Sequence, residues 1–332
     1  MELDISIEKW PLARPFRITG KVYDDIEVVV VTLRDGGHVG RGEAAGVDYL
    51  GETPEMIVSQ IEGLGDAFRI GVDRQRLQSL LPRGGARNAL DCALWDLDAA
   101  RTGVPAWTCA GMAAPRPRVT TWTIGADTPD AVYDQVLGHA KARALKLKLT
   151  GDGLDAERIR ALRSARPEVW LGVDGNQGFT RATLEAIIPL LVEERVEMFE
   201  QPLPMARDAE LDSLYSPIPL AADESAQDLA SIATISPAYS IVNIKLDKCG
   251  GLTEALAMVK AIRARGMGVM VGNMLGTSLA MAPAYLVGQF CDVVDLDGPI
   301  LLREDRAPGA IYEDGMIYCP DQIWGGASAP DQ

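Results

Sequence analysis

The chain is expected to fold as an α/β protein: a barrel of parallel strands wrapped in helices, preceded by a smaller α+β domain. Two observations carry this expectation. From about Val119 onward, short apolar runs alternate with helix-length stretches, the pattern of a parallel sheet built from crossover helices. The polar residues that end those runs recur at intervals of about 22 to 28 residues, one strand-helix unit each. The first hundred residues lack this rhythm, since strands come first and helices follow, which reads as a separate domain.

In order, Ile26–Leu33 is a β-branched run ending in the turn Asp35-Gly36-Gly37, and Val39–Ala45 is its hairpin partner. Thr53-Pro54-Glu55 starts a helix with a capping hydroxyl, a proline at the first helical position and an acid in the first turn. Ala86, Leu90, Ala93, Leu94 and Leu97 share one face of a second helix, stopped by Gly103 and Pro105. The alternating region then gives strands at Val119–Ile124, Leu145–Leu149 and Val169–Val173. Helices follow each of them, at Asp130–Ala142, Leu154–Ala165 and Arg181–Glu194. Met198–Phe199, Leu220–Ala222, Ile241–Ile244, Gly268–Gly272 and Val293–Leu296 complete eight strands. The tail Gly325–Gln332, rich in small residues, is expected to be loose.

With 332 residues the chain can bury a large core and hold two domains. The formal charge of −15 argues against nucleic acid and anionic membranes. Five cysteines without close pairing suggest reduced thiols and a cytoplasmic location. The charged start is unlike a signal peptide, and no stretch approaches the roughly 20 apolar residues of a membrane span.

Barrel chemistry belongs where the strands end. The polar residues at those ends are Thr123, Lys148, Asp174, Glu200, Asp223, Lys245, Asn273 and Asp295. Asp174, Glu200 and Asp223 end three successive strands. Converging carboxylates repel one another, and an all-oxygen donor set suits Mg²⁺. Lys148 and Lys245 flank the three acids, so they can face each other over a ligand and act as bases. Lys146, on the same strand as Lys148, is expected to lower the pKa of its neighbour. Lys248, just before Gly250-Gly251, reads as part of a solvated loop. Asp295 and Asp297 share one face of the last strand by alternation.

The motifs Lys146-Leu147-Lys148, Val173-Asp174-Gly175-Asn176, Glu200-Gln201-Pro202, Ala222-Asp223-Glu224 and Lys245-Leu246-Asp247-Lys248-Cys249-Gly250-Gly251 occur in this order. Together they resemble the enolase superfamily in its muconate-lactonising-type subgroup, along nearly the whole chain. The two histidines, His38 and His139, end no barrel strand, unlike the histidine base of the mandelate-racemase-like subgroup. The resemblance implies a (β/α)7β modified TIM barrel over residues 116–304. It also implies an α+β capping domain over 1–115, completed by about 305–332.

The Asp295-Leu296-Asp297 pair resembles the signature with which dipeptide epimerases hold a substrate α-ammonium group. Trp10-Pro11-Leu12 and Ala86–Leu97 are similar to L-Ala-D/L-Glu epimerases as well. The implied activity is Mg²⁺-dependent 1,1-proton transfer at the C-terminal residue of a dipeptide, through an enediolate. One Mg²⁺ would sit on Asp174, Glu200 and Asp223, with Lys148 and Lys245 as bases and Lys146 auxiliary. Asp295, Asp297 and Thr123 would bind substrate. Loops around Arg14–Asp24 and Val47–Thr53 would form the lid, with Arg17, Gly20, Lys21 and Tyr49 as specificity residues. Members acting on L-Ala-L-Glu resemble one another in a basic lid residue, and this chain has Gly20 there, between Arg17 and Lys21. The implied partners are a dipeptide and further copies of the chain in a homo-oligomer. N-acylamino-acid racemase, o-succinylbenzoate synthase and muconate cycloisomerase share the lysines and acids, but none of their substrates presents a cation to strand eight. A catalytically silent metal-binding barrel is the alternative of another class, and two opposed bases argue against it.

Overall fold

The computed structural model describes residues 1–65 and 71–327, so the last five residues of the tail lie outside the described residues. The chain opens with a three-stranded antiparallel sheet of β1 (Glu2–Ile18), β2 (Lys21–Asp35) and β3 (His38–Ala44). β1 is longer than anything the hydrophobic pattern marks. It carries Pro11 and Pro15 because it is an edge strand, and its register shifts between Pro11 and Phe16. Helices α1 (Pro54–Glu62), α2 (Arg74–Leu80), α3 (Gly85–Thr102) and α4 (Ala106–Cys109) follow. α2 was not expected, since only seven residues carry it and they hold a single buried apolar residue, Leu77. α3 is buried almost all round because it lies between this sheet and the barrel. At Gly42 on β3, any side chain would collide with the backbone of α3 at Ala89.

The barrel is one sheet of eight parallel strands. The run expected as a single strand at Val119–Ile124 divides at Thr120. β4 (Arg118–Val119) joins a separate small sheet, and β5 (Thr121–Ile124) starts the barrel. Then come α5 (Pro129–Gly138), β6 (Ala144–Lys148), α6 (Asp155–Ala165), β7 (Trp170–Asp174), α7 (Arg181–Glu193), β8 (Met198–Glu200) and β9 (Leu220–Ala222). The series closes with α8 (Leu229–Ile232), β10 (Tyr239–Ile244), α9 (Leu246–Cys249), α10 (Leu252–Ala264), β11 (Gly268–Val271), α11 (Ser278–Gly288), β12 (Val293–Val294) and α12 (Gly298–Leu301). One apolar cluster runs through the barrel wall and its helices.

Backbone pairing runs without interruption from β5 to β12. Side chains close the seam between those two strands. Thr121 Oγ1 donates to Asp295, Thr123 N donates to Asp297 Oδ2 at 2.5 Å, and Leu296 N donates to Thr120 Oγ1 at 2.9 Å.

The C-terminal segment forms a hairpin of β13 (Ile311–Glu313) and β14 (Met316–Tyr318), which pairs with β4. It then returns to the first sheet and α3. Trp324 Nε1 donates to Arg41 O at 3.0 Å and to Cys92 O at 3.1 Å. All five cysteines are free, and no helix among the described residues is long and apolar enough to cross a membrane.

Candidate active site

β6 alternates Leu and Lys, and alternation on a surface strand would put the lysines in water. Here all five residues of β6 are buried, so Lys146 and Lys148 point into the barrel. A buried ammonium needs an anion, and the next strands supply them. Backbone pairing places Lys148 beside Asp174 and Asp174 beside Glu200. Lys148 Nζ lies 2.6 Å from Asp174 Oδ2. On the far side, Lys245 Nζ lies 2.6 Å from Asp223 Oδ2. β6 and β10 stand four places apart in the order of the eight strands, which is half the barrel's circumference. Lys148 and Lys245 therefore come from opposite walls, with the strands of Asp174, Glu200 and Asp223 between them.

Lys146 sits among acids. Its Nζ contacts Asp295 and lies 3.4 Å from Glu200 and 3.7 Å from Asp174. Burial works to lower its pKa, but Asp295, Glu200 and Asp174 outweigh burial and raise it well above the usual lysine value. It therefore stays charged, matched by the acids around it. Lys245 is raised too, with Asp223 and Glu200 overcoming the effect of burial.

Lys248 corrects the reading of a solvated loop. It is fully buried, with Nζ 2.6 Å from Asp223 Oδ1 and 3.0 Å from Asn243 O. The short α9 aims it inward, and the turn Gly250-Gly251 brings α3 against the same place. A side chain at Gly250 would collide with the Arg87 guanidinium. Sequence reasoning also passed over Asn243, whose Nδ2 donates to Glu200 Oε1 at 2.6 Å, and Glu224 beside Asp223. The spacing Lys245-x-x-Lys248 across one helical turn was the available signal for Lys248.

The last strand ends at Val294, so Asp295 and Asp297 lie beyond the strand expected to alternate them; both are buried and line the cavity, but they do different work. Asp295 is committed to Thr121 and Lys146. Asp297 has one hydrogen bond from Thr123 N, and burial together with the charge of Asp295 pushes its carboxyl up to about 6. Asn273 supports the pair from the loop after β11, with Nδ2 donating to Asp295 O at 2.8 Å.

A cavity of about 870 Å³ opens above this cluster. Lys146, Lys148, Asp223, Lys245, Thr123, Asp295 and Asp297 line its floor. Of the residues expected in a lid, Gly20, Lys21 and Tyr49 line the cavity and Arg17 does not, because it turns toward Asp127 at 3.7 Å. Asp174 and Glu200 lie beneath the lysines and do not reach the cavity surface.

Among the described residues, no three His, Cys, Asp or Glu side chains are arranged to hold a metal ion, since Asp174 and Asp223 are each turned onto a lysine. The donor chemistry nonetheless fits a hard cation. The donors are all oxygen, and burial plus the charges of Asp174 and Asp223 push Glu200 up to about 7. Beside them, Glu224 Oε2 and Asn176 Oδ1 are buried without a hydrogen-bond partner.

Comparison with known proteins agrees with this architecture. Residues 1–111 match the mandelate racemase/muconate lactonizing enzyme N-terminal domain, and residues 131–325 match the enolase C-terminal domain-like family. L-Ala-D/L-Glu epimerase of Escherichia coli K12 is 39% identical over 313 residues, 94% of this chain and 97% of its own. The crystal structure of an enolase family member from Agrobacterium tumefaciens, with homology to dipeptide epimerases and with bound sodium and L-Ala-L-Glu, superposes with a TM-score of 0.94. That protein is 40% identical, over 97% of this chain and 99% of its own. The dipeptide epimerase from Methylococcus capsulatus, complexed with Mg and L-Arg-D-Lys, gives a TM-score of 0.86 at 31% identity, over 95% and 96% of the two chains. The chain belongs to the mandelate racemase/muconate lactonizing enzyme family of the enolase superfamily, and it is an isomerase similar along its length to that family's dipeptide epimerases.

Proposed function

We propose that the protein epimerises the C-terminal residue of a dipeptide by 1,1-proton transfer, with Lys148 and Lys245 as the two bases. The observation that carries the reading is the placing of these lysines on opposite walls, with three carboxylates on the strands between them. A reaction that removes a proton from one face of a carbon and returns it to the other needs such a pair. Asp174, Glu200 and Asp223 would hold one Mg²⁺. When bound, the cation supplies positive charge for these carboxylates and for the substrate carboxylate, and so makes the α-proton more acidic. Lys146 anchors Asp295, and Asp297 meets the α-ammonium group at the far end of the dipeptide. Within this reading, residues 1–115 act as the cap and residues 116–304 as the catalytic barrel, with the segment from 305 returning to the cap.

The test is α-proton exchange in D₂O, followed by NMR on each pure epimer. Lys245→Ala should abolish net epimerisation and leave exchange without inversion for one epimer. Lys148→Ala should leave exchange for the other. Chelation should stop exchange in the parent enzyme, and Mg²⁺ should restore it. If both variants exchange the same epimer, or if either epimerises at the parent rate, the two-base reading fails.

A further inference from the structure

The lid carries more structure than the reaction itself requires. Lys21, at the tip of the β1–β2 hairpin, places Nζ 2.7 Å from both carboxylate oxygens of Asp48 in the second lid loop. Tyr23 donates its hydroxyl to Asp48 Oδ2 at 3.0 Å, and the Lys21 ammonium sits 4.6 Å from the centre of the Tyr23 ring. The two lid loops therefore meet through one closed set of partners.

This set decides the charge that a substrate side chain meets. Among the described residues, Lys21 is the one cation that the lid contributes to the cavity wall, and Asp48 neutralises it. Asp24, Asp25, Glu27 and Glu55 line the same wall, and Lys9 pairs with Asp25 at 3.0 Å. An acidic side chain entering here would have to displace Asp48 from Lys21 and lie among like charges. The apolar part of the wall is broad, with Val22, Met274 and Leu275 beside the rings of Tyr23 and Tyr49. The Tyr23 hydroxyl donates to Asp48, and Tyr49 accepts from Gln227 Nε2 at 2.6 Å. Beyond the O–H that Tyr49 keeps, the two residues offer a ligand aromatic surface. At about 870 Å³ the cavity stands near the upper end of the usual ~300–1,000 Å³ for ligand sites, so a bulky side chain fits.

We propose that Asp48 closes this site to acidic side chains by holding Lys21, and that the epimerised residue carries a bulky neutral side chain. The inference rests on the dipeptide-epimerase reading and names its substrate class.

The experiment measures kcat/KM for L-Ala-L-Phe, L-Ala-L-Leu, L-Ala-L-Glu and L-Ala-L-Arg with Mg²⁺, in the parent and in two lid variants. The parent should favour a neutral dipeptide. Asp48→Asn releases Lys21 and should raise the ratio of L-Ala-L-Glu to L-Ala-L-Phe by about two- to fivefold, the scale of one exposed ion pair. Lys21→Met leaves Asp48 uncompensated and should lower that ratio. A parent that prefers the glutamyl or arginyl dipeptide over both neutral ones overturns the inference and leaves the epimerase reading standing. So does an unchanged ratio in Asp48→Asn. Absence of α-proton exchange with every dipeptide overturns the epimerase reading, and this inference falls with it.

Discussion

Asp297 is the residue whose charge has no fixed cationic partner comparable to that of Asp295. Asp295 is already held by Lys146, so in the proposed reaction an incoming ammonium group would find its counter-charge at Asp297. Asp297→Asn keeps the shape and removes the charge. It should reduce kcat/KM for dipeptides by roughly 1.5–3 kcal/mol, and much less for N-acylated amino acids, which carry no ammonium. Equal losses on both substrate types would assign Asp297 to closing the barrel seam alone. At this scale the sequence was informative wherever a polar residue ended an apolar run, because the barrel brings such ends to one rim. It misled where burial depends on neighbours distant in sequence. Lys248 looks solvated beside two glycines, yet it is buried because Asp223 and the carbonyl of Asn243 converge on it. Arg17 looks like a lid residue, yet it leaves the cavity because Asp127 stands on its other side.

The barrel strands were legible as elements because alternating strands and helices leave apolar runs with hydrophobic helices between them. β1 was not, because its prolines and charges suit only an edge strand, and edge position is a property of the sheet. The division at Thr120 was equally hidden, since Val119–Ile124 reads as one extended run and only the return of β14 takes its first residue away. The seam between β5 and β12 belongs to this scale. Thr120 is fully buried and its hydroxyl accepts the backbone N–H of Leu296. Thr120→Val is nearly isosteric and leaves that N–H without a partner. The unpaired donor should cost about 1–3 kcal/mol, read as a lower midpoint in urea with an unchanged slope. An unchanged midpoint would mean that the seam is held without this bond.

The whole molecule is tied together at α3, where the first sheet, the barrel and the returning C-terminal segment meet. Asp96 is the polar centre of that junction. It accepts from Arg41 N at 2.8 Å and from Gly325 N at 2.6 Å, joining residues far apart in the chain. Burial raises its carboxyl to about 6 from the ordinary 3.8, against the opposing pull of those two backbone donors. The consequence for stability has a definite sign. Below the unfolded pKa, near 4, Asp96 is protonated in both states and its contribution is fully present. As pH rises through 6, the folded chain must give up a proton that the unfolded chain has already lost, and the contribution disappears. A shift of about two pKa units corresponds to roughly 3 kcal/mol. Asp96→Asn removes the titration and keeps a polar group at the junction. Denaturation of the parent and the variant at pH 4.5 and pH 7.5 measures the effect. Other raised carboxylates, such as Asp91 and Asp247, affect both proteins alike and cancel in the comparison. The parent should lose more stability than Asp96→Asn between these two pH values. Equal losses would mean that Asp96 is ionised in the folded chain throughout, with its two backbone donors outweighing burial.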